Sequence, residues 1–293
     1  MPPFAMRRPS LDHSRLDALP GGWRVEILDS TPSTNAALAS RARSGEAPGL
    51  VITTEHQTAG RGRLDRGWTT PARSALAVSA LLRPSPSIPV ERWLWLPLMT
   101  GVAVASVLRT KGYAAGLKWP NDVLIEGRKV CGILIERIET TGARSSGELA
   151  RPLAPSEGVT ARSAEMAEGA AAVIGFGLNT SLTREELPIE TATSLELESG
   201  APVDRTEMLV ALLAELGAAY EIWGSDPAEL ARRYRELSVT VGEQVRAELP
   251  GGEVWEGVAT EIDDFGRLVI ETGEGPRVVG AGDVIHARLR PRS

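Results

Sequence analysis

The pattern of apolar residues changes near residue 240, and this change constrains the fold more than any other feature of the sequence. Beyond it the chain consists of short alternating segments at 244–249, 254–262, 268–272 and 277–289. Turns rich in glycine, such as Pro250-Gly251-Gly252, separate these segments. Short strands at this spacing are typical of a small all-β barrel. We therefore predict a small β-barrel domain over residues 239–293.

Residues 23–238 mix helical and strand patterns, which predicts one α/β domain. The apolar run Trp93–Lys111 predicts a buried helix. The apolar residues on both sides of a glycine-containing turn within 123–135 predict a β-hairpin. Residues 1–22 are expected to form a loose leader. Residues 139–169, which have few large apolar side chains, are expected to form a flexible, solvent-exposed insertion.

Composition and charge exclude several classes of protein. The 293 residues carry a net charge of -6, which argues against non-specific nucleic-acid binding because that requires a cationic face. The single cysteine, Cys131, rules out an internal disulfide and fits a reducing compartment. No continuous apolar run approaches the ~20 residues of a membrane span, and the first twenty residues do not resemble a secretory signal. We expect a soluble, cytoplasmic protein with no membrane partner.

A loop rich in glycine and arginine is the first candidate site. Arg61, Arg63 and Arg66 place three guanidinium groups within six residues, and glycines at 60 and 62 let the backbone approach a ligand closely. Guanidinium groups suit phosphate and carboxylate. The segment alone is equally compatible with a solvated surface loop, and it matches neither the dinucleotide-binding nor the P-loop fingerprint.

Two further segments are candidates. The first runs from Lys118 through Asn121 and Asp122 to Lys129, where a lysine enters an apolar run. Such a lysine points into a site or, more commonly, extends to solvent. The second is the apolar strand that ends in Gly175-Phe176-Gly177-Leu178-Asn179, which alone reads as an ordinary strand-end turn.

Taken in order, these segments resemble the biotin protein ligase family. The resemblance covers about residues 25–290, including the C-terminal barrel. Its most specific parts are the G-R-G-R loop with its trailing Trp68, the K-W-P-N-D segment at 118–122, and G-R-K followed by G-I-L at 127–134. The resemblance implies an α+β fold, in which a mixed, mainly antiparallel sheet is flanked by helices and followed by the small barrel.

The resemblance also implies a two-step reaction in a catalytic domain over residues 23–238. Biotin and ATP, with Mg²⁺ on the phosphates, form biotinyl-5′-AMP and pyrophosphate. A lysine of a biotin carboxyl carrier protein, as in acetyl-CoA carboxylase, then attacks the acyl-adenylate and releases AMP. A free lysine has a pKa of about 10.4, so this step requires a group that orients or deprotonates the amine.

The resemblance assigns roles to individual residues. Catalytic roles fall on Lys129, Arg61 and Asp122. The biotin-binding residues would be Ser33, Thr34, Asn35, Gln57, Arg61, Gly62, Arg63 and Lys129. The ATP- and AMP-binding residues would be Arg61, Arg63, Trp68, Lys118, Asn121, Lys129 and Asn179. Two alternatives stay open: residues 33–35 also form a helix cap, and Asp122 could be a structural carboxylate. The three histidines are scattered and suggest no protein metal site.

Three features depart from the family pattern. Leu64-Asp65-Arg66 replaces the usual Arg-Gly-Arg, which adds a negative charge to the loop. The 139–169 insertion lengthens a strand connection and is expected to be neutral for catalysis. Residues 1–22 are too short for a DNA-binding domain, so no repressor role and no nucleic-acid partner are expected.

Two other functions are alternatives. A biotin-responsive DNA-binding regulator would need a helix-turn-helix, which the leader does not supply. A lipoate-attaching ligase has a related fold, but the G-R-G-R and K-W-P-N-D segments favour biotin. The sequence leaves open the oligomeric state, the identity of the carrier and the role of the barrel.

Overall fold

A seven-stranded sheet forms the centre of the fold. The structure is a computed structural model that describes residues 8–17, 19, 21–63, 66–139, 170–249, 252–280 and 283–286. The strand order is β1-β2-β5-β9-β8-β7-β6. Its strands are β1 Arg24–Leu28, β2 Leu50–Thr54, β5 Ala75–Leu82, β6 Ala115–Lys118, β7 Asp122–Ile125, β8 Arg128–Ile138 and β9 Ala171–Asn179. Only β1 and β2 pair in parallel, which confirms the predicted mixed, mainly antiparallel sheet.

Helices cover both faces of this sheet. They are α1 His13–Leu16, α2 Thr34–Arg43, α3 Trp95–Thr110, α4 Leu195–Ser199, α5 Arg205–Ser225 and α6 Pro227–Leu237, with a 3-10 turn at Val90–Leu94. The predicted buried helix is therefore α3, which packs with α5 and α6 on one face of the sheet. On the opposite face, α2 packs on β2, β5, β8 and β9.

Two helical stretches, Val90–Thr110 and Arg205–Ser225, have the length and composition of a membrane span. Leu96, Met99 and Leu108 of the first, and Leu209 and Leu213 of the second, belong to the main hydrophobic core. Core helices commonly have this composition, so their apolarity is explained by packing against the sheet.

The C-terminal segment forms the predicted small β domain. Its strands are β10 Gln244–Glu248, β11 Val254–Ile262, β12 Leu268–Thr272, β13 Gly275–Val279 and β14 Asp283–His286, in the antiparallel order β13-β12-β11-β10-β14. The turn between β11 and β12 docks on the larger domain. There the indoles of Trp95 and Trp119 donate to the carbonyls of Asp264 (3.0 Å) and Gly266 (3.1 Å). Closure of this sheet into a barrel stays a prediction.

The described part of the expected leader is packed rather than loose. Leu11 and Leu16 are buried, and the Leu11 backbone N–H donates to Glu55 Oε1 at 2.6 Å. Glu55 in turn pairs with buried Arg205 of α5 at 2.5 Å. Apolar contacts and the hydrogen bond to the buried Glu55–Arg205 pair therefore hold this segment in place. Both come from distant parts of the chain, so the composition of residues 1–22 does not predict them. Of the predicted 139–169 insertion, all but Glu139 lies outside the described residues, as do Leu64 and Asp65.

Candidate active site

Glycines open a groove on the α2 side of the sheet. Directly paired residues of antiparallel strands point to the same face, and residues two apart along a strand do so as well. Gly132 of β8 pairs with Gly177 of β9, and Gly175 lies two residues before Gly177. We call Gly132, Gly175 and Gly177 the glycine floor. Between them, Phe176 points to the opposite face and packs in the main core.

The N-terminus of α2 meets this floor. Ser33 has extended backbone angles and its hydroxyl accepts from the Ala36 N–H, so it is the N-cap. The Thr34 N–H donates to Gln57 Oε1 at 2.9 Å, which joins the loop after β2 to the helix start. The predicted capping role of this segment is therefore confirmed, and its polar side chains lie beside the groove.

Asn35 is buried and its amide is held at both ends. The Ser79 hydroxyl lies 2.6 Å from Asn35 Oδ1, while Asn35 Nδ2 donates to the Leu134 carbonyl at 3.2 Å and to Glu136 Oε1 at 3.1 Å. A Cβ added to Gly175 would overlap this amide. The glycine at 175 is therefore needed for Asn35 to lie flat on the sheet.

The glycine-arginine segment forms a short hairpin over the groove. We expected a loop without regular structure, but β3 Gly60–Arg61 pairs with β4 Gly67–Trp68. This pairing brings the Trp68 ring onto the floor, where a Cβ at Gly177 would lie 2.7 Å from two ring carbons and a Cβ at Gly132 would lie 3.4 Å from a third. The Trp68 Nε1–H is buried and has no hydrogen-bond partner within the described parts of the chain.

A β-bulge turns Lys129 toward the groove. The register between β7 and β8 shifts after the Val123–Cys131 pair, so that Leu124 pairs with Lys129. Val130 and Cys131 are consecutive residues, yet both pack in the core. The extra residue places Lys129 on the same face as Gly132, as bulges near functional sites commonly do. Cys131 is fully buried.

Three cations converge on this face. Lys129 Nζ lies 2.6 Å from Asp122 Oδ1 and 6.0 Å from the centre of the Trp68 ring. The first contact is an ion pair. Arg63 donates to Asn121 Oδ1 at 3.1 Å, directly before Asp122. An Arg61 nitrogen lies 3.8 Å from Glu136 Oε1.

The remaining predicted residues lie at strand ends around the same groove. Lys118 pairs with Asp122 across β6 and β7, and Asp122 pairs with Gly132. Asn179 is buried, and its Nδ2 donates to the Thr193 carbonyl at 2.9 Å. Its Oδ1 has no hydrogen-bond partner within the ranges the structure describes. The Thr193 N–H donates to the Lys129 carbonyl at 2.8 Å, which links the surroundings of Asn179 to Lys129.

Comparison with known proteins identifies the family. Residues 27–147 match the Biotin/lipoate A/B protein ligase family, and residues 240–287 match the Biotin protein ligase C terminal domain. The chain is 40% identical to the Biotin--[acetyl-CoA-carboxylase] ligase of Mycobacterium tuberculosis (strain ATCC 25618 / H37Rv), over 96% of this chain and 97% of that protein. The chain belongs to the biotin protein ligase family. It is also 30% identical to the Bifunctional ligase/repressor BirA of Escherichia coli (strain K12), over 85% of this chain and 70% of that protein.

A solved structure supports the fold of this ligase. The biotin protein ligase from Aquifex aeolicus in complex with biotin and ATP superposes with a TM-score of 0.70 at 24% identity. The match covers 91% of this chain and 99% of that one. The match supports the mixed sheet flanked by helices and the small C-terminal antiparallel sheet.

Sequence reasoning missed two polar residues of this ligase's groove. Ser79 is a buried hydroxyl in an apolar strand, and Glu136 is a carboxylate that follows the apolar run Ile133–Ile135. Ser79 interrupts an apolar run and Glu136 ends one. A polar residue in such a position is the signal that could have identified them. Neither could be placed beside Asn35 without the strand order.

Proposed function

We propose that this ligase adenylates biotin with ATP and transfers it to a lysine of a biotin carboxyl carrier protein in the cytoplasm. The observation that carries the proposal is the position of Arg61, Arg63 and Lys129 around one groove with a glycine floor and a tryptophan over it. Such an arrangement suits a ligand with a flat part and an anionic part.

The polar groups beside the floor suit the biotin bicycle. Biotin is largely apolar but carries one ureido group, so its site needs a slot with a few directed hydrogen bonds. Ser33, Thr34 and Asn35 lie at the start of α2, and Gln57 contacts Thr34. We assign the ureido group to these residues, with the backbone of Arg61–Arg63 alongside.

The cations suit the first step. A biotin carboxylate oxygen attacks the α-phosphorus of ATP, a new P–O bond forms, and the bond to pyrophosphate breaks. Both reactants are anionic, so fixed positive charge at the forming bond lowers the barrier. Lys129 and Arg61 are assigned to the carboxylate and the α-phosphate, and Arg63 and Lys118 to the remaining phosphate oxygens.

The adenosine is assigned to the far end of the groove. The Trp68 face packs on the adenine, and Asn121 lies on the phosphate side. Asn179 hydrogen-bonds near the adenine through its buried Oδ1, which has no hydrogen-bond partner among the described residues. Mg²⁺ is assigned to the ATP phosphates, which it binds with few protein ligands.

Asp122 is assigned to the second step. The carrier lysine must lose a proton to attack the acyl carbon, AMP leaves with the bonding electrons, and a carboxylate beside the acyl group accepts or directs that proton. Asp122 lies next to Lys129 and is only partly exposed. The carrier is assigned to the biotin domain of an acetyl-CoA carboxylase, as the name of the mycobacterial relative suggests.

Isotope exchange tests the first step and its substrate. Purified protein is incubated with ATP and labelled pyrophosphate, with either biotin or lipoate as the only carboxylic acid. We expect exchange into ATP with biotin and background exchange with lipoate. Exchange with lipoate alone would overturn the substrate assignment. Transfer to a carrier domain, followed by the mass of the carrier, then tests the second step.

A further inference from the structure

Glu136 contacts both halves of the proposed site. It lies on β8, two residues after Leu134 and four after Gly132, so it points to the face that carries the groove. Its side chain is 27% exposed. Its Oε1 accepts from Asn35 Nδ2 at 3.1 Å and lies 3.8 Å from an Arg61 nitrogen. One carboxylate oxygen thus lies between the polar end of the biotin slot and the loop that carries the cations.

The contact with Asn35 fixes the direction of its amide. An ionised carboxylate can only accept hydrogen bonds, so it requires the NH₂ group of Asn35 to face it. The Leu134 carbonyl imposes the same requirement, and the Ser79 hydroxyl lies at the opposite end on Oδ1. With these neighbours only one orientation of the amide satisfies all partners. An unambiguous donor and acceptor pattern is what recognition of a ureido group needs.

The contact with Arg61 is of a different kind. The two groups are 3.8 Å apart and the Arg61 side chain is 55% exposed. Ion pairs this exposed contribute little, so an incoming phosphate or carboxylate could displace Glu136 from Arg61 at small cost. The role of Glu136 therefore rests on its contact with Asn35.

We propose that Glu136 is a positioning residue of the biotin site, which acts by orienting the Asn35 amide. The inference rests on the proposed function. Glu136 itself touches no reacting atom in this scheme, so its removal should affect the binding of biotin rather than the chemical step.

The test compares steady-state constants of Glu136→Ala and Glu136→Gln in biotin-dependent pyrophosphate exchange. Alanine removes the acceptor, and we expect KM for biotin to rise about tenfold with kcat within about twofold of wild type, the pattern of lost ground-state binding. Tenfold corresponds to about 1.4 kcal/mol. Glutamine keeps an acceptor oxygen and should restore most of the biotin affinity. Glu139→Ala is the matched control, because Glu139 pairs with Arg137 outside the groove.

A double mutant of Glu136 and Asn35 distinguishes a positioning role of Glu136 from a general disturbance of the site. In an Asn35→Ala background, Glu136→Ala should raise KM no further, since the group it orients is absent. Additive effects would overturn the proposal, as would equal KM values for Glu136→Ala and wild type. If Glu136→Ala does not fold, Asn35→Asp serves instead: facing Glu136 it should weaken biotin binding, and adding Glu136→Gln should recover part of it. No recovery would refute the orienting role.

The proposed function and the role of Glu136 are refuted by different results. A wild-type protein without biotin-dependent exchange would refute the proposed function. Wild-type exchange combined with unaltered Glu136 variants would refute this inference and leave the proposed function standing.

Discussion

Replacing Gly177 with alanine tests whether the glycine floor sets the position of Trp68. A Cβ at this position would lie 2.7 Å from the Trp68 ring carbons Cε2 and Cζ2 and 3.0 Å from Nε1. Carbon atoms in contact prefer about 3.5–4.0 Å, so the ring must move by at least ~0.8 Å. Because Trp68 belongs to the short β3–β4 hairpin, the displacement would fall on this hairpin rather than on the sheet.

The expected size of the effect follows from this displacement. A shift of ~1 Å in a positioning group can cost about 100-fold in rate, so we expect biotin-dependent exchange to fall by about 10- to 100-fold. This range corresponds to about 1.4–2.7 kcal/mol of barrier. Gly177 does not have a positive φ, so alanine fits the strand backbone. Alanine restricts the unfolded chain more than glycine does. The free energy of unfolding should therefore stay unchanged or rise by up to ~1 kcal/mol.

The assay pairs exchange rates with urea unfolding of the same preparations. Gly273→Ala is the control, because a Cβ there meets nothing within 4 Å and the residue has no positive φ. We expect the control to keep wild-type activity and Gly177→Ala to lose activity without losing stability. Full exchange activity in Gly177→Ala would refute the idea that the floor positions Trp68. A loss of stability that parallels the loss of activity would refute it as well.

Four further predictions concern other groups. Lys129→Ala should lose most adenylation with an unchanged circular dichroism spectrum, because it removes the ammonium beside the groove; wild-type exchange would exclude its role. Asp122→Asn should slow transfer from preformed biotinyl-AMP to the carrier, and unchanged single-turnover transfer would reduce it to a structural carboxylate. Arg205→Met should lower the free energy of unfolding in urea by about 3–5 kcal/mol, since it leaves buried Glu55 with only the more distant and more exposed Arg73, at 4.0 Å; a loss below about 1 kcal/mol would contradict this. Burial raises the pKa of the Cys131 thiol to about 12, so thiol reagents should modify it only on unfolding, and rapid labelling of the native protein would disprove its burial.

Local signals in the sequence were sufficient where an element depends on its own residues. The predicted hairpin forms as β7 and β8, and the turn residues Glu126 and Gly127 both have positive φ. The start of α2 was predicted from Ser33, whose side chain caps the helix as expected. In both cases adjacent residues form the turn or the helix cap, so the local sequence is enough to predict the element.

Features that depend on distant pairing could not be predicted. The sequence shows Gly132 and Gly177 as two separate glycines, and only the β8–β9 register places them opposite each other. The packing of Leu11 depends on Glu55 and, through it, on Arg205 of α5. Such contacts join residues far apart in the chain, so no local pattern of apolar and polar residues predicts them.

The position of Lys129 shows how a local pattern can mislead. Read with strict alternation from Gly132, residue 129 should point into the core, where an ammonium is costly. The bulge at Val130 changes this parity, so two consecutive apolar residues enter the core and the lysine returns to the groove side. The sequence Lys129-Val130-Cys131 is compatible with a strand only if such a bulge is present. The bulge thus lets one strand supply core residues, part of the glycine floor and the ammonium beside Asp122. Removing Val130 would restore strict alternation with Lys129 still on the groove side, so the role of the bulge is to place one more apolar side chain in the core without moving the ammonium.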